Sequence, residues 1–191
     1  MVGVDEVGRG CWAGPLVAGA VVLDAAFFVS KTRSWKLGDS KQLTKKQRNE
    51  SDREIRKIAS AIGLGWVTAA EVDELGLSQA VKTAMQRAID QIKTNYDEII
   101  IDGGFNFFTD NKLVKAIIKA DVTIPTVSAA SIVAKVARDN YMAQIAKEYP
   151  EYGFDKHVGY GTKMHIEALK LFGPCVLHRM TYKPIKNLAN T

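Results

Sequence analysis

Cysteine is nearly absent from this sequence: Cys11 and Cys175 are the only two among 191 residues. Two thiols so far apart make no disulfide framework, and neither has the paired Cys or His neighbours that a zinc site needs. A reducing, cytoplasmic setting is therefore expected. Histidine is almost as scarce, and the spacing of His157, His165 and His178 does not group them with cysteines as ligands, so each reads as structural or exposed. No apolar run approaches the roughly 20 residues that cross a bilayer, and no basic, apolar and small-residue leader opens the chain. A soluble protein with no membrane partner is expected. Repeats, low-complexity tracts and linker-like stretches are missing too, which favours a single domain over residues 1–191.

What is present is a globular composition, 47% hydrophobic, long enough to bury one substantial core. With 26 Lys and Arg against 21 Asp and Glu, the formal charge of +5 fits a polyanionic partner without requiring one.

Val2 to Glu6 is β-like, Gly8, Gly10, Gly14 and Pro15 break it, and Leu16 to Leu23 is a second β-rich run. Thr44 and Gln47 stand in capping-box relation and open a charged helix expected to reach Ala61; Gly63 stops it, and Leu64 to Val67 follows as a third strand. Thr68 and Glu71 repeat the capping pattern. From Leu77, the residues Val81, Ala84, Met85, Ala88, Ile89 and Ile92 recur at three- and four-residue intervals, the period of a helix facing a core. Ile99, Ile100 and Ile101 suit a central strand covered on both faces, ending in Asp102-Gly103-Gly104. A helix from about Asn111 to Lys119, a short strand Val122 to Val127 interrupted by Pro125, a long helix Ser128 to Tyr149 and a helix Met164 to Phe172 complete the expected order. Strands first, then strands alternating with helices, predict an α/β or α+β layered domain with a mixed sheet of about five strands.

Asp5 and Glu6 are adjacent carboxylates at the end of an apolar strand. Successive side chains of a regular strand point to opposite faces, so the two share a site only where the strand ends or bulges, as the nearby glycines permit. Asp102 lies at the carboxyl end of the most hydrophobic strand, where ligands of open α/β sheets bind. Asp121, read alone, is a turn or capping residue before the next expected strand. Strands packed side by side would bring all four carboxylates together. Such groups repel unless a cation neutralises them, and hard oxygen ligands select magnesium or manganese. The chemistry implied is metal-assisted phosphodiester hydrolysis with no protein nucleophile. A nucleotide-cofactor site is excluded: Gly8 to Ala13 matches the glycine pattern formally, but Gly14-Pro15 and a β run replace the helix it requires. On the long helix, Ser128, Ser131, Lys135, Arg138 and Asp139 fall on one stripe suited to a sugar-phosphate backbone, opposite the apolar Ile132, Val133, Val136 and Ala137. Asp39-Ser40-Lys41 and the run His157 to Thr162 add loop candidates, and Tyr160, set between glycines, suits stacking on a sugar or base.

Taken in order, these segments resemble the ribonuclease HII family. The resemblance rests on Asp5-Glu6-Val7-Gly8-Arg9-Gly10, Asp39-Ser40-Lys41, Ala84-Met85-Gln86-Arg87-Ala88, Ile101-Asp102-Gly103, Ser128 to Val136, Arg138-Asp139 and His157-Val158-Gly159-Tyr160, and it spans roughly residues 2–185. It implies a ribonuclease H-like fold with a helical, substrate-binding C-terminal part over about 150–191. It implies that Asp5, Glu6, Asp102 and Asp121 are the catalytic, metal-binding carboxylates, served by Mg2+ or Mn2+. Gly8, Arg9 and Gly10 would then recognise the ribose 2′-hydroxyl and Tyr160 the sugar at an RNA–DNA junction, with Ser40, Lys41, Ser128, Ser131, Lys135 and Arg138 as further substrate contacts. The implied activity is cleavage of the RNA strand of RNA–DNA hybrids, and 5′ to ribonucleotides embedded in duplex DNA, leaving 3′-hydroxyl and 5′-phosphate ends and supporting ribonucleotide removal. A monomer with no obligate protein partner is expected, and no C-terminal clamp-binding motif is visible. Three stretches depart from the family pattern: Cys11-Trp12-Ala13-Gly14, Asp102-Gly103-Gly104 and His178 to Tyr182. They bear on substrate preference and leave the ligand set intact.

Overall fold

A computed structural model describes residues 1–29, 37–38 and 40–189. The chain forms β1 (Val2–Val7), β2 (Leu16–Leu23), α1 (Ala25–Val29), α2 (Lys45–Ile58), β3 (Ala59–Val67), α3 (Ala69–Leu75) and α4 (Leu77–Ile89). It continues through β4 (Ile99–Asp102), β5 (Val114–Ile117), α5 (Ala120–Thr123) and the long α6 (Pro125–Glu148). A 3₁₀ turn, Pro150–Tyr152, leads into α7 (Phe154–His157), α8 (Lys163–Phe172) and α9 (Lys183–Ala189). The five strands make one mixed sheet in the order β3-β2-β1-β4-β5. The β1–β2 and β2–β3 pairs are antiparallel, and the β1–β4 and β4–β5 pairs are parallel. This is the helix-flanked mixed sheet that the strand and helix pattern predicts.

Both capping boxes form. The Thr44 hydroxyl accepts from Gln47 N–H at 3.2 Å while Gln47 Oε1 accepts from Thr44 N–H at 2.9 Å, and Thr68 and Glu71 do the same. The helix that Thr44 starts ends sooner than its charge pattern suggests. Ala59 to Gly63 extends β3, because every β2 residue back to Leu23 pairs there, with Val21 opposite Ile62 and Leu23 opposite Ala59. Between Asn111 and Val127 the expected order is reversed. Val114–Ile117 pairs with Ile99–Asp102 as a strand, whereas Ala120–Thr123 is a single helical turn and Pro125 is the first residue of α6. Proline at that position gives up an N–H that has no helical partner anyway, so it marks a helix start here and not a sheet edge.

Helices α4 and α6 cover opposite faces of the sheet. Val2, Val4, Ile99 and Ile101 pack with Val81, Ala84, Met85 and Ala88 on one side, and Val21 packs with Ile132, Val133 and Val136 on the other. Alternation along β1 puts Gly3 and Asp5 on the α6 side. At Gly3 the helix comes so close that a Cβ would lie 2.2 Å from the Thr126 carbonyl carbon. Beyond the sheet, Met142 on α6 packs with Tyr152, Phe154, Leu169 and Ile185, so the C-terminal helices form their own apolar cluster on the overhanging end of α6.

Gly65 answers the same demand on the α4 face, where a Cβ would sit 1.9 Å from the Ala84 carbonyl oxygen and 2.7 Å from Ala88 N. Both obstacles are helix backbone and cannot rotate away. Gly65→Ala is expected to lower stability by about 3 kcal/mol, the upper part of the usual overpacking range, measured as a fall in urea midpoint. A variant with an unchanged midpoint would mean that α4 sits farther from the sheet.

Candidate active site

The central parallel strands place two carboxylates near the middle of the sheet's open end, and the turn after β5 adds a third. Asp5, Asp102 and Asp121 each offer an oxygen, and the three oxygens lie within 4.8 Å of one another. Asp5 and Asp121 are buried, and Asp102 is partly so. Asp121 arrives by a tight reversal: Lys119 adopts the left-handed conformation (φ 60°), α5 begins, and Asp121 N–H donates to Asp102 Oδ1 at 3.4 Å. Burial raises the Asp5 carboxyl well above its ordinary value, and the charges of Glu6 and Asp102 raise it further, against a hydrogen bond from Ser131. The oxygen-only donor set, its spacing and its mutual repulsion fit a divalent cation such as magnesium or manganese.

Glu6 stands beside this trio and outside it. Pairing with β2 stays regular through Val7, so the bulge that would turn Asp5 and Glu6 to one side is not there. Glu6 Oε1 instead accepts from Arg9 Nη1 at 3.1 Å, and burial, opposed by Arg9, raises its carboxyl. Among the described residues three clefts open from the carboxylates. One, of about 310 Å³, is lined by Asp5, Glu6, Ser40, Lys41, Lys135 and Tyr160, among others. A second, of about 160 Å³, includes Arg9, Asp102, Gly103 and Phe105. The third, of about 600 Å³, includes Lys41, Asp102, Lys119 and Asp121.

Over residues 2–185 the chain matches the family model described as Ribonuclease HII. The chain belongs to the ribonuclease HII family. Ribonuclease HII of Nitrosococcus oceani is 44% identical over 186 residues, covering 97% of this chain and 90% of that one. The enzyme of Geobacillus sp. (strain WCH70) is 40% identical over 98% of this chain, which spans 65% of the length of that relative. The crystal structure of ribonuclease H2 from Pyrococcus horikoshii OT3 superposes with a TM-score of 0.82 at 28% identity, covering 99% of this chain and 96% of that one. The ribonuclease H-like fold is thereby established, and with it the endonucleolytic hydrolase class of the family.

In ribonuclease HII terms the expected substrate contacts divide into two groups. Ser40, Lys41, Ser131, Lys135 and Tyr160 do meet at the cleft that holds Asp5 and Glu6, with Gly10 beside the Tyr160 ring. Ser40 and Ser131 share a 2.9 Å hydrogen bond on the cleft floor, and Lys135 is held by Asp139 at 2.7 Å. Asp39 lies outside the described residues. Ser128 faces elsewhere: buried, it donates to the Gly38 carbonyl at 3.0 Å and accepts from Gly38 N–H at 2.6 Å, anchoring the loop that carries Ser40. Arg138 requires a correction. It is fully buried and its guanidinium donates to the carbonyls of Pro15, Ala13 and Val158 at 2.8, 3.1 and 2.8 Å, leaving it unsuited to touching substrate.

Sequence reasoning missed Arg179 and Arg48. Arg179, also fully buried, donates to the Gly14 carbonyl from Nε and Nη2 at 3.2 and 3.0 Å, and to the Arg9 carbonyl at 3.1 Å. Together Arg138 and Arg179 grip the segment from Arg9 to Pro15 by its carbonyl oxygens. Arg48 lines the cleft that holds Asp5 and Glu6 and donates to the carbonyls of Ser40 and Leu43. Its signal was in the sequence: position 48 shares the inner face of α2 with Ser51, Asp52 and Ile55 at helical spacing.

Two predictions follow from this geometry. Arg138→Met keeps the aliphatic length but leaves three buried carbonyls without their donor, and is expected to cost about 3 kcal/mol in a urea titration. Equal stability would show the guanidinium to be free for a ligand. In metal-free protein, the raised Asp5 carboxyl gives stability that is full below its unfolded value of 3.8 and is lost as pH rises through the folded one. Asp102→Asn, which removes one of the charges responsible, is expected to raise the melting temperature in chelator near neutral pH by about 2–4 °C and to abolish the rise that magnesium or manganese gives the wild type. A lower melting temperature in chelator would mean that the carboxylates do not repel one another.

Proposed function

We propose that this chain is a divalent-metal-dependent endonuclease that hydrolyses the RNA strand of RNA–DNA hybrids and cuts 5′ to ribonucleotides embedded in duplex DNA, supporting ribonucleotide removal. The observation that carries the proposal is the trio Asp5, Asp102 and Asp121 where three clefts meet, one of them lined by Lys41, Arg48 and Lys135. Asp5, Asp102 and Asp121 hold the metal, with Glu6 beside them. Bound there, magnesium or manganese supplies an activated water and stabilises the leaving oxygen. The residues do the rest. Ser131 holds Asp5 in register by its hydrogen bond. Lys41 and Lys135 face the phosphate backbone, which supplies most contacts in nucleic-acid complexes. Gly8, Arg9 and Gly10 meet the ribose 2′-hydroxyl, with backbone held at carbonyl oxygens by Arg179, and Tyr160 packs on the sugar. Water adds to phosphorus, the bond from phosphorus to the preceding O3′ breaks, and the products are a 3′-hydroxyl and a 5′-phosphate. Among the described residues no helix is long and apolar enough to cross a membrane, in keeping with a cytoplasmic enzyme acting as a monomer on nucleic acid.

The test is cleavage of a labelled DNA duplex containing one ribonucleotide, beside an all-DNA duplex and an RNA–DNA hybrid, with magnesium, manganese or chelator. Cuts 5′ to the ribonucleotide and within the hybrid's RNA strand are expected only with metal, and Asp102→Asn is expected to lower the rate by a factor of at least about 10³ while remaining folded. Binding without turnover in either metal would replace this reading with a non-catalytic one.

A further inference from the structure

His157, His165 and His178, from three successive segments of the C-terminal region, converge behind Tyr160. All three are buried, and the rings of His157 and His165 stack at 4.5 Å. Their partners assign every proton. The Tyr160 carbonyl can only accept, so His165 Nδ1, 3.0 Å away, carries hydrogen. At the other end Cys175 N–H points at His178 Nδ1 from 2.9 Å, which leaves that nitrogen unprotonated. The Cys175 carbonyl and thiol also lie near it, at 3.2 and 3.3 Å, but the N–H is the nearest of the three and its hydrogen is fixed by the backbone, so the nitrogen accepts. His178 therefore has its proton on Nε2 and donates it to His165 Nε2 across 3.0 Å. His157 takes a matching form, accepting from Gly159 N–H on Nδ1 and donating from Nε2 to the Tyr152 carbonyl. Burial pushes His165 and His178 each down to about 4, so both are neutral near physiological pH.

The chain of rings ends on a turn that needs holding. Val158, a β-branched residue, has φ 45°, and at Gly159 (φ 87°) a Cβ would lie 2.2 Å from the Ala13 carbonyl oxygen. Arg138 donates to the Val158 carbonyl, and Trp12 N–H donates to that of Gly159 at 2.8 Å. The phenol of Tyr160 meets the Cys11 thiol, while the residue stays 40% exposed at the carboxylate cleft.

We propose that His165 and His178 are positioning residues for Tyr160: the hydrogen-bonded series Cys175–His178–His165, locked in one tautomeric set, holds the Tyr160 carbonyl and aims its ring at the sugar in the carboxylate cleft. The inference rests on the reading of Tyr160 as a sugar contact given above. His178 touches no substrate. Without its donor, His165 Nε2 is buried with no partner, and the anchor on Tyr160 loosens.

Two measurements test this on the full chain. Proton–nitrogen correlation spectra at about pH 7 are expected to show His165 as the Nδ1–H tautomer, the form that free imidazole disfavours, and His178 and His157 as Nε2–H. His165 in the Nε2–H form overturns the proposal. In kinetics, His178→Leu is expected to raise KM for a duplex with one ribonucleotide about five- to tenfold, the worth of one buried hydrogen bond, with kcat changed less than about twofold. His178→Gln, which keeps a donor, is expected to restore KM, and in a Tyr160→Ala background His178→Leu is expected to add nothing. An unchanged KM in folded His178→Leu, or an effect that persists without the Tyr160 ring, overturns it. Should His178→Leu not fold, the spectra and the His178→Gln kinetics decide. A wild-type chain that binds the duplex but cuts nothing would overturn the proposed function itself, a result distinct from either failure.

Discussion

Three carboxylates whose oxygens lie within 4.8 Å are a standing repulsion at the end of a hydrophobic sheet, and the scaffold around them is arranged to withstand it. Asp5 and Asp102 sit on neighbouring parallel strands whose positions are set by ladder hydrogen bonds and by two helices packed on opposite faces. Neither strand can retreat from the other without breaking the sheet. Asp121 is held by a different device, the left-handed turn at Lys119 and the N–H that it presents to Asp102. The site is therefore a place where local electrostatics run against folding and global packing overrides them, which is the usual signature of a group awaiting a cation.

The second constraint is the attachment of the Gly-rich segment after β1. Residues 8–15 include three glycines and, although Trp12 packs against the C-terminal cluster, much of the segment is fixed through its backbone oxygens. Buried Arg138 comes from α6 and buried Arg179 from the C-terminal region, and among the described residues neither forms an ion pair. A guanidinium offers five donors in a fixed fork, and it suits this work because several carbonyls converging on it share the burden of its buried charge. Asp73 closes the same region from α3, its carboxylate accepting from the N–H groups of Met180 and Thr181 at 2.6 and 3.0 Å.

Sequence patterns made the clustered carboxylates legible wherever a strand was unmistakable. The run Ile99 to Ile101 announced a central strand, and Asp102 at its end followed from that alone. Asp121 was harder, because Val114–Ile117 is a short edge strand with Lys115 exposed and Ile117 on the surface, while Val122 to Val127 has the better β composition but is divided between the end of α5 and the start of α6, with Ile124 extended between them. Pairing with β4 decided the matter, and no local propensity records a partner that is distant in sequence. Arg138 misled for a related reason. Its spacing on α6 was read correctly as a stripe with Ser131 and Lys135, but a stripe crosses from cleft to interior along a helix that overhangs its sheet, and the cation at its far end was buried by the C-terminal helices.

Those helices are therefore part of the site's construction. Arg138 donates at once to Ala13 beside the Gly-rich segment and to Val158 in the tyrosine-bearing turn, and Trp12 N–H reaches Gly159. The Trp12 ring lies flat enough on the chain at Gly161 that a Cβ there would be 2.2 Å from it. Segments 147 residues apart, at Trp12 and Gly159, thus share one backbone-to-backbone seam, with cleft-facing groups on its outer side and the histidine series behind it. A change on either side of that seam has to move the other, so Cys11 and Trp12, where the sequence departs from the common family pattern, bear on the position of Tyr160 more directly than on the carboxylates.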